Sequence, residues 1–195
     1  MKTQIQRIQQ HLGINADGIV GPQTLQAIST ALGIITRHPI WPAQSEVRRG
    51  TSIFGAPGRE ENLVNILPPY TLYYEGKPVR SIRVHKLIAT HVQQALREVL
   101  THYGEQEIQR LGLNQYGGSY NCRPTATGKK LSMHAWGIAL DFAPASNAYS
   151  CKAPRASLSH PDCAVWWQIW EQHGAVSLGR QRNYDWMHLQ FAELG

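Results

Sequence analysis

Cysteine, long apolar runs and blocks of like charge are all scarce in this 195-residue chain, and each scarcity closes off a class of function. Only Cys122, Cys151 and Cys163 occur. An odd number permits at most one internal bridge, and without a CxxC pair a cysteine zinc site is disfavoured. Cys151 and Cys163 could pair in an oxidising compartment; three free thiols are an equal alternative. No apolar run approaches the length of a membrane span. The opening Met1-Lys2-Thr3-Gln4-Ile5-Gln6-Arg7 has no apolar stretch of the secretory type, so the expectation is synthesis without a signal peptide. No GxSxG occurs, and the cysteines have no matched histidine context, which makes a serine or cysteine nucleophile a remote alternative. The formal net charge is +6, yet Arg48-Arg49 and Lys129-Lys130 are only pairs. A basic surface suited to anionic partners is expected, without nucleic-acid binding or membrane insertion.

What is present is a chain with 42% hydrophobic residues, enough for a real core. In the first 34 residues, Ile5, Ile8 and Leu12 repeat the +3, +4 spacing of Leu25, Ile28 and Leu32, drawing an apolar stripe on each of two short helices. Gly13 and Gly33 suit helix ends, and Pro22 suits a first turn. Residues 35–50, polar and broken by Pro39, Pro42 and Gly50, read as a linker. Residues 51–80, rich in Gly and Pro, read as loops with short strands such as Tyr70–Tyr74. Residues 82–103, with Ile88, Val92, Ala95 and Val99 in helical register, read as the longest helix, stopped by Gly104. A further helix is expected over 164–173, where Trp166, Trp167 and Trp170 fit a core. His85, His91 and His102 lack the i, i+4 spacing of a helical metal pair and read as structural or surface groups, as do His11, His38, His160 and His173.

Two segments carry chemistry. Gly137–Phe142 reads as a buried strand in which Asp141 and Ala139 face one way and Ile138, Leu140 and Phe142 the other. A carboxylate on a face lined by Gly137 and Ala139 has space around it, and His134 lies just before the strand. Asp185–Phe191 reads as a second strand, with Trp186, His188 and Gln190 on one face and Asp185 on the other. Two histidines, one carboxylate and a further acid are what zinc hydrolysis requires. Regular alternation would turn Asp185 away from His188, so Asp185 can serve that site only if the chain turns within Asn183-Tyr184-Asp185.

The first 34 residues, through Asp17-Gly18-x-x-Gly21-Pro22-x-Thr24, resemble the peptidoglycan-binding helical module found beside many wall-degrading enzymes. From about residue 80 onward, Ser132-x-His134-x-x-Gly137-x-Ala139-x-Asp141 followed by Asp185-x-x-His188 resembles the zinc D-alanyl-D-alanine carboxypeptidases and L-alanyl-D-glutamate endopeptidases of peptidoglycan, which share a fold with the hedgehog signalling domain. Val176–Arg180 also looks typical of that group. The resemblance implies that His134, Asp141 and His188 bind one Zn²⁺, that Asp185 is the general base, and that Arg123, eleven residues before His134, holds the substrate carbonyl and stabilises its oxyanion. Ser132 matches a position near the substrate.

The expected fold is α+β: a helical module (1–34), a linker (35–50) and a catalytic domain (51–195) with a mainly antiparallel sheet flanked by helices, the long helix against the sheet. The expected partner is bacterial peptidoglycan and the expected state a monomer. A wall-binder joined to a cutter without a signal resembles a bacteriophage endolysin, made in the host cytoplasm and acting on the wall after release. Endopeptidase action is favoured over D-alanyl-D-alanine cleavage. A wall-remodelling enzyme and a non-catalytic binder on the same fold are the alternatives.

Overall fold

The computed structural model describes residues 3–20, 24, 27–28, 31–32, 41–125 and 127–195. Its contacts divide the chain into two compact units, Met1–His38 and Pro39–Gly195.

In the first unit, helix α1 (Gln4–His11) starts from a capping box. Thr3 accepts from the Gln6 amide nitrogen while the Gln6 side chain accepts from that of Thr3. The helix closes at Leu12 with Gly13 in the left-handed region. The Asp17-Gly18 turn is organised by Gln9, a buried polar residue that hydrophobic periodicity overlooks. Its amide nitrogen lies 2.7 Å from Asp17 Oδ1 and 2.9 Å from both Thr24 Oγ1 and the Ile19 carbonyl, and its oxygen accepts from the Gly18 nitrogen. The conspicuous Asp, Gly and Thr of this motif are therefore partners of one buried glutamine. Gly21, Pro22, Leu25 and Gly33, assigned to the second helix and its ends, lie outside the described residues, as does His38.

The second unit is α+β. Strands β5 (Tyr116–Gly118), β6 (Ala139–Phe142), β7 (Val176–Ser177) and β8 (His188–Gln190) form an antiparallel sheet in the order β5-β6-β8-β7. Two antiparallel pairs accompany it: β1 (Leu63–Ile66) with β4 (Ile82–His85), and β2 (Leu72–Tyr74) with β3 (Lys77–Val79). In register, Asp141 opposes His188, and Ala139 opposes Gln190. These side chains share one face because strand neighbours alternate. The opposite face carries Leu140, Phe142 and Leu189, all fully buried. Phe142 packs edge-on against Trp166 and tilted against Trp170, so the tryptophan helix (Ala164–Gln172) lies directly on the sheet and the three tryptophans are core.

Three boundaries differ from the sequence expectation. The long helix spans Ala89–Arg110, not 82–103. Ile82 and Val84 are buried and alternate with Arg83 in a strand, a period of two hidden beside a longer helical run. Gly104 (φ 66°, ψ 165°) leaves helical conformation as expected and divides this span into two helices joined at a kink; the span packs on the tryptophan helix and β1. Residues 41–50 are part of the folded unit rather than a linker. Trp41 and Val47 are core residues, Gln44–Arg48 is helical, and the Gln44 nitrogen donates to the Glu193 carbonyl. Finally, the strand carrying His188 begins at His188, not at Asp185.

Candidate metal centre

His134 reaches the site from a single 3₁₀ turn, Met133–Trp136. The Ser132 hydroxyl caps that turn by accepting from the His134 nitrogen, and Gly137 closes it with φ 68°. A Cβ at 137 would sit 2.6 Å from Leu63 Cδ2 and 3.2 Å from the His85 nitrogen, so glycine is required by both conformation and space. Asp141 and His188 arrive from opposed positions of β6 and β8.

The three side chains converge. His134 Nε2 lies 3.2 Å from Asp141 Oδ2 and 3.2 Å from His188 Nδ1, and His188 Nδ1 lies 3.1 Å from Asp141 Oδ1. All three residues are buried. Their outer atoms decide which tautomers meet. His134 Nδ1 is 2.6 Å from the Ser119 carbonyl, which can only accept, so Nδ1 carries the proton and Nε2 the lone pair. On His188, Nε2 faces Gln190 Oε1 at 3.2 Å. The Gln190 amide nitrogen donates to the Ala192 carbonyl at 2.7 Å, which fixes the amide with its oxygen toward His188. His188 therefore donates from Nε2 and presents its Nδ1 lone pair inward. Two imidazole lone pairs and a carboxylate then point at one place, within 4.8 Å of one another, with no proton of their own between them. Such a cluster of acceptors calls for a cation, and two histidines with one carboxylate match zinc's preference.

The electrostatics agree. Without an ion, a proton on the histidines would supply the missing positive charge: burial by itself would raise Asp141, but the charge and hydrogen bonds of His134 and His188 so protonated outweigh it and hold the carboxyl well below its usual range. Burial would lower His188, yet the hydrogen bond and charge of Asp141, aided by Asp185 and Gln190, hold it above its ordinary value. The His134–Asp141–His188 cluster itself, as distinct from the basic cavity wall, attracts positive charge.

Asp185 is brought to the same cavity by the turn that alternation demanded. Helix Leu178–Arg182 ends at Asn183 with φ 53°, and Asp185 also has φ 53°. The His188 nitrogen donates back to the Asp185 carbonyl at 3.0 Å, and Asp185 and Met187 donate to the carbonyls of Tyr149 and Asn147. The turn is wedged by Trp186, whose indole donates to Asn183 and whose ring covers Gly179 so closely that a Cβ there would lie 2.5 Å away. Asp185 is buried, with Oδ1 lacking a hydrogen-bond partner. Burial raises its carboxyl above the ordinary range; Asp141 adds to the rise, while His188, His134 and Arg123 oppose it. A desolvated acid of this kind beside a cation site can take up and return a proton.

Arg123 lies on an exposed loop tied to the histidine turn, since its carbonyl accepts from the Ser132 nitrogen and Asn121 donates to the His134 carbonyl. Arg123 lines the cavity of about 360 Å³ that contains His134, Asp141, Asp185 and His188, and its Nη1 donates to the Pro124 carbonyl at 3.2 Å. A second cleft, lined by Tyr74, Arg83 and Tyr120, shares Arg123, His134 and Asp141 with the first. The cluster thus sits where two clefts meet.

All six sequence-derived site residues line the first cavity. Sequence reasoning passed over Gln190 and Ser119, which orient the histidines; Gln190 was detectable as the i+2 neighbour of His188 on one strand face. It also passed over Gln44 and Arg48, which line the cavity from the segment taken for a linker. The other histidines among the described residues do not line this cavity. His85 is buried against Phe54, and His173 pairs with Glu98 at 3.0 Å.

Residues 125–191 match the family described as D-alanyl-D-alanine carboxypeptidase, and residues 1–28 match that described as putative peptidoglycan binding domain. These are the two families the sequence resembles. No curated protein and no solved structure matches the chain.

Proposed function

We infer that this chain, in which a peptidoglycan-binding segment precedes a segment of the D-alanyl-D-alanine carboxypeptidase family, is a zinc-dependent peptidoglycan peptidase that cuts within the stem peptide. The observation that carries this is the convergence of two tautomer-fixed imidazole lone pairs with Asp141, beside a buried acid and an arginine on one cavity.

In this account His134, Asp141 and His188 hold the ion. Zinc there supplies Lewis acidity toward the attacking water and the scissile carbonyl. The protein's own groups do the rest. Asp185 accepts the proton of the water as the carbonyl is attacked, its desolvation making it a stronger base than a solvated carboxylate. The same carboxyl then delivers that proton to the departing amine. Arg123 shares the negative charge that develops on the carbonyl oxygen. Ser132 acts by holding the turn that aims His134.

Endopeptidase action at the L-alanyl-D-glutamate bond is favoured by the meeting of two clefts at the cluster, which leaves room for peptide on both sides of the cut. The family's printed description supports a second reading, removal of a terminal D-alanine. Mass spectrometry of products from purified peptidoglycan separates them. New N-terminal D-glutamate supports the endopeptidase; free D-alanine as the sole product defeats it. Joined to a wall-binding segment, such an activity fits a bacteriophage endolysin acting on the wall during lysis. Expression in the bacterial cytoplasm with and without a membrane-permeabilising protein tests that role, and lysis only in its presence is expected.

A further inference from the structure

Arg48 enters the cavity from helix Gln44–Arg48, on the segment that the sequence presented as a linker. Its guanidinium is half-buried and held on two of its nitrogens. Nε donates to the Leu131 carbonyl at 2.9 Å, and Nη2 donates to Gln44 Oε1 at 3.0 Å. Both partners are neutral, and among the described residues no ion pair involves Arg48. The arginines that do form ion pairs among the described residues, Arg59, Arg83, Arg110 and Arg180, are bound to Glu or Asp at more exposed positions. Desolvating a guanidinium without a counter-ion is costly, and burial lowers its basicity here accordingly. Among the described residues no further hydrogen bond engages Nη1 or the second hydrogen of Nη2, and together these form the fork that pairs with a carboxylate. The cavity around it also carries Arg123, Lys129 and Lys130 against only Asp141 and Asp185, so its field favours an anion.

We propose that Arg48 is a substrate-binding residue whose free guanidinium edge takes a carboxylate of the stem peptide. This rests on the peptidase function above. Two carboxylates could supply the partner. In a stem where D-glutamate is linked through its side chain, its main-chain carboxylate stays free next to the L-alanyl bond. The peptide's C-terminal carboxylate is the other.

The test compares three synthetic stem peptides: the parent, one with the free glutamate carboxylate converted to carboxamide, and one with the C-terminal carboxylate converted. Zinc-loaded full-length protein and its Arg48→Gln and Arg48→Lys variants are assayed on each, with zinc content measured throughout. Wild type should lose about 10- to 100-fold in kcat/KM on one of the two carboxamides, mainly through KM, which identifies the carboxylate used. Arg48→Gln should fall by a similar factor on the parent, keep its zinc, and discriminate no longer between the parent and that carboxamide. Arg48→Lys, keeping charge but losing the fork, should lie between. Equal wild-type rates on all three peptides would overturn the proposal. So would an Arg48→Gln loss that is the same on all three, which would mark Arg48 as merely an anchor for Leu131. Should Arg48→Gln fail to fold, the wild-type ratios and Arg48→Lys decide. Cleavage of none of the peptides by wild type would instead defeat the peptidase function itself, and the proposal with it.

Discussion

Gln190 offers the sharpest perturbation, because its whole effect on the cluster passes through one hydrogen. Its oxygen accepts from His188 Nε2 at 3.2 Å, and its nitrogen is committed to the Ala192 carbonyl at 2.7 Å. Leucine, shorter but apolar and of similar volume, removes both bonds. The buried Nε2–H then loses its acceptor, at a cost of about 1–3 kcal/mol, and the imidazole is no longer held in the tautomer that directs Nδ1 inward. Orienting partners of this kind are worth about 10- to 100-fold in metal affinity, which is about 1.4–2.7 kcal/mol. Gln190→Leu should therefore bind zinc about 10- to 100-fold more weakly in competition with a chromophoric chelator, with unchanged far-ultraviolet dichroism. Ligands and cavity are otherwise intact, so saturating zinc should restore much of the hydrolysis. An affinity equal to wild type in a folded variant would refute the tautomer argument.

Asp185→Asn should retain zinc while hydrolysis of peptidoglycan falls by about 10²- to 10⁴-fold, the usual worth of a general base; a variant with full activity removes Asp185 from the mechanism. The same variant has a signature in metal-free protein. The folded-state pKa of Asp185 is raised, so its contribution to stability is fully present below the ordinary carboxylate value of 3.8 and is lost as pH rises through the folded value. Thermal unfolding should then show metal-free Asp185→Asn gaining on wild type at neutral pH, with the gain shrinking toward pH 3.8. At the histidine turn, Gly137→Ala combines a left-handed backbone with contacts of 2.6 and 3.2 Å and should cost about 2–5 kcal/mol. Gly128→Ala, with φ 71° and nothing within 4 Å of the added carbon, should cost only about 1–2 kcal/mol by denaturant titration. Equal losses would show that packing at Leu63 and His85 is immaterial.

The cluster was legible in sequence because its parts are local. His134 and Asp141 lie on one turn-strand unit, and strand alternation already placed Asp141 opposite the apolar Leu140 and Phe142. The same alternation misled at Asp185. Period-two patterning continued through a segment whose backbone is set instead by two left-handed residues, Asn183 and Asp185, and by Trp186 covering Gly179. Asn183-Tyr184-Asp185 hinted at the turn; only packing reveals the wedge. Residues 41–50 failed differently. Prolines and polar residues dominate the surrounding composition, while what folds the segment is largely long-range: besides its contact with Phe54, Trp41 meets Phe191 edge-on, and Gln44 bonds the Glu193 carbonyl. No local window of sequence contains Phe191 or Glu193. Strand β4 was lost to a neighbour, since its four residues shortly precede the helical span from Ala89 to the Gly104 kink, whose stronger period absorbed them.

Zinc stoichiometry measured together with activity tests the central claim most directly. Purified protein analysed by native mass spectrometry should carry one zinc ion per chain. His188→Ala should carry none, and chelated wild type should lose peptidoglycan hydrolysis and regain it on addition of one equivalent of zinc. Wild-type protein that hydrolyses peptidoglycan at full rate without metal, or His188→Ala that binds zinc as wild type does, would contradict the account.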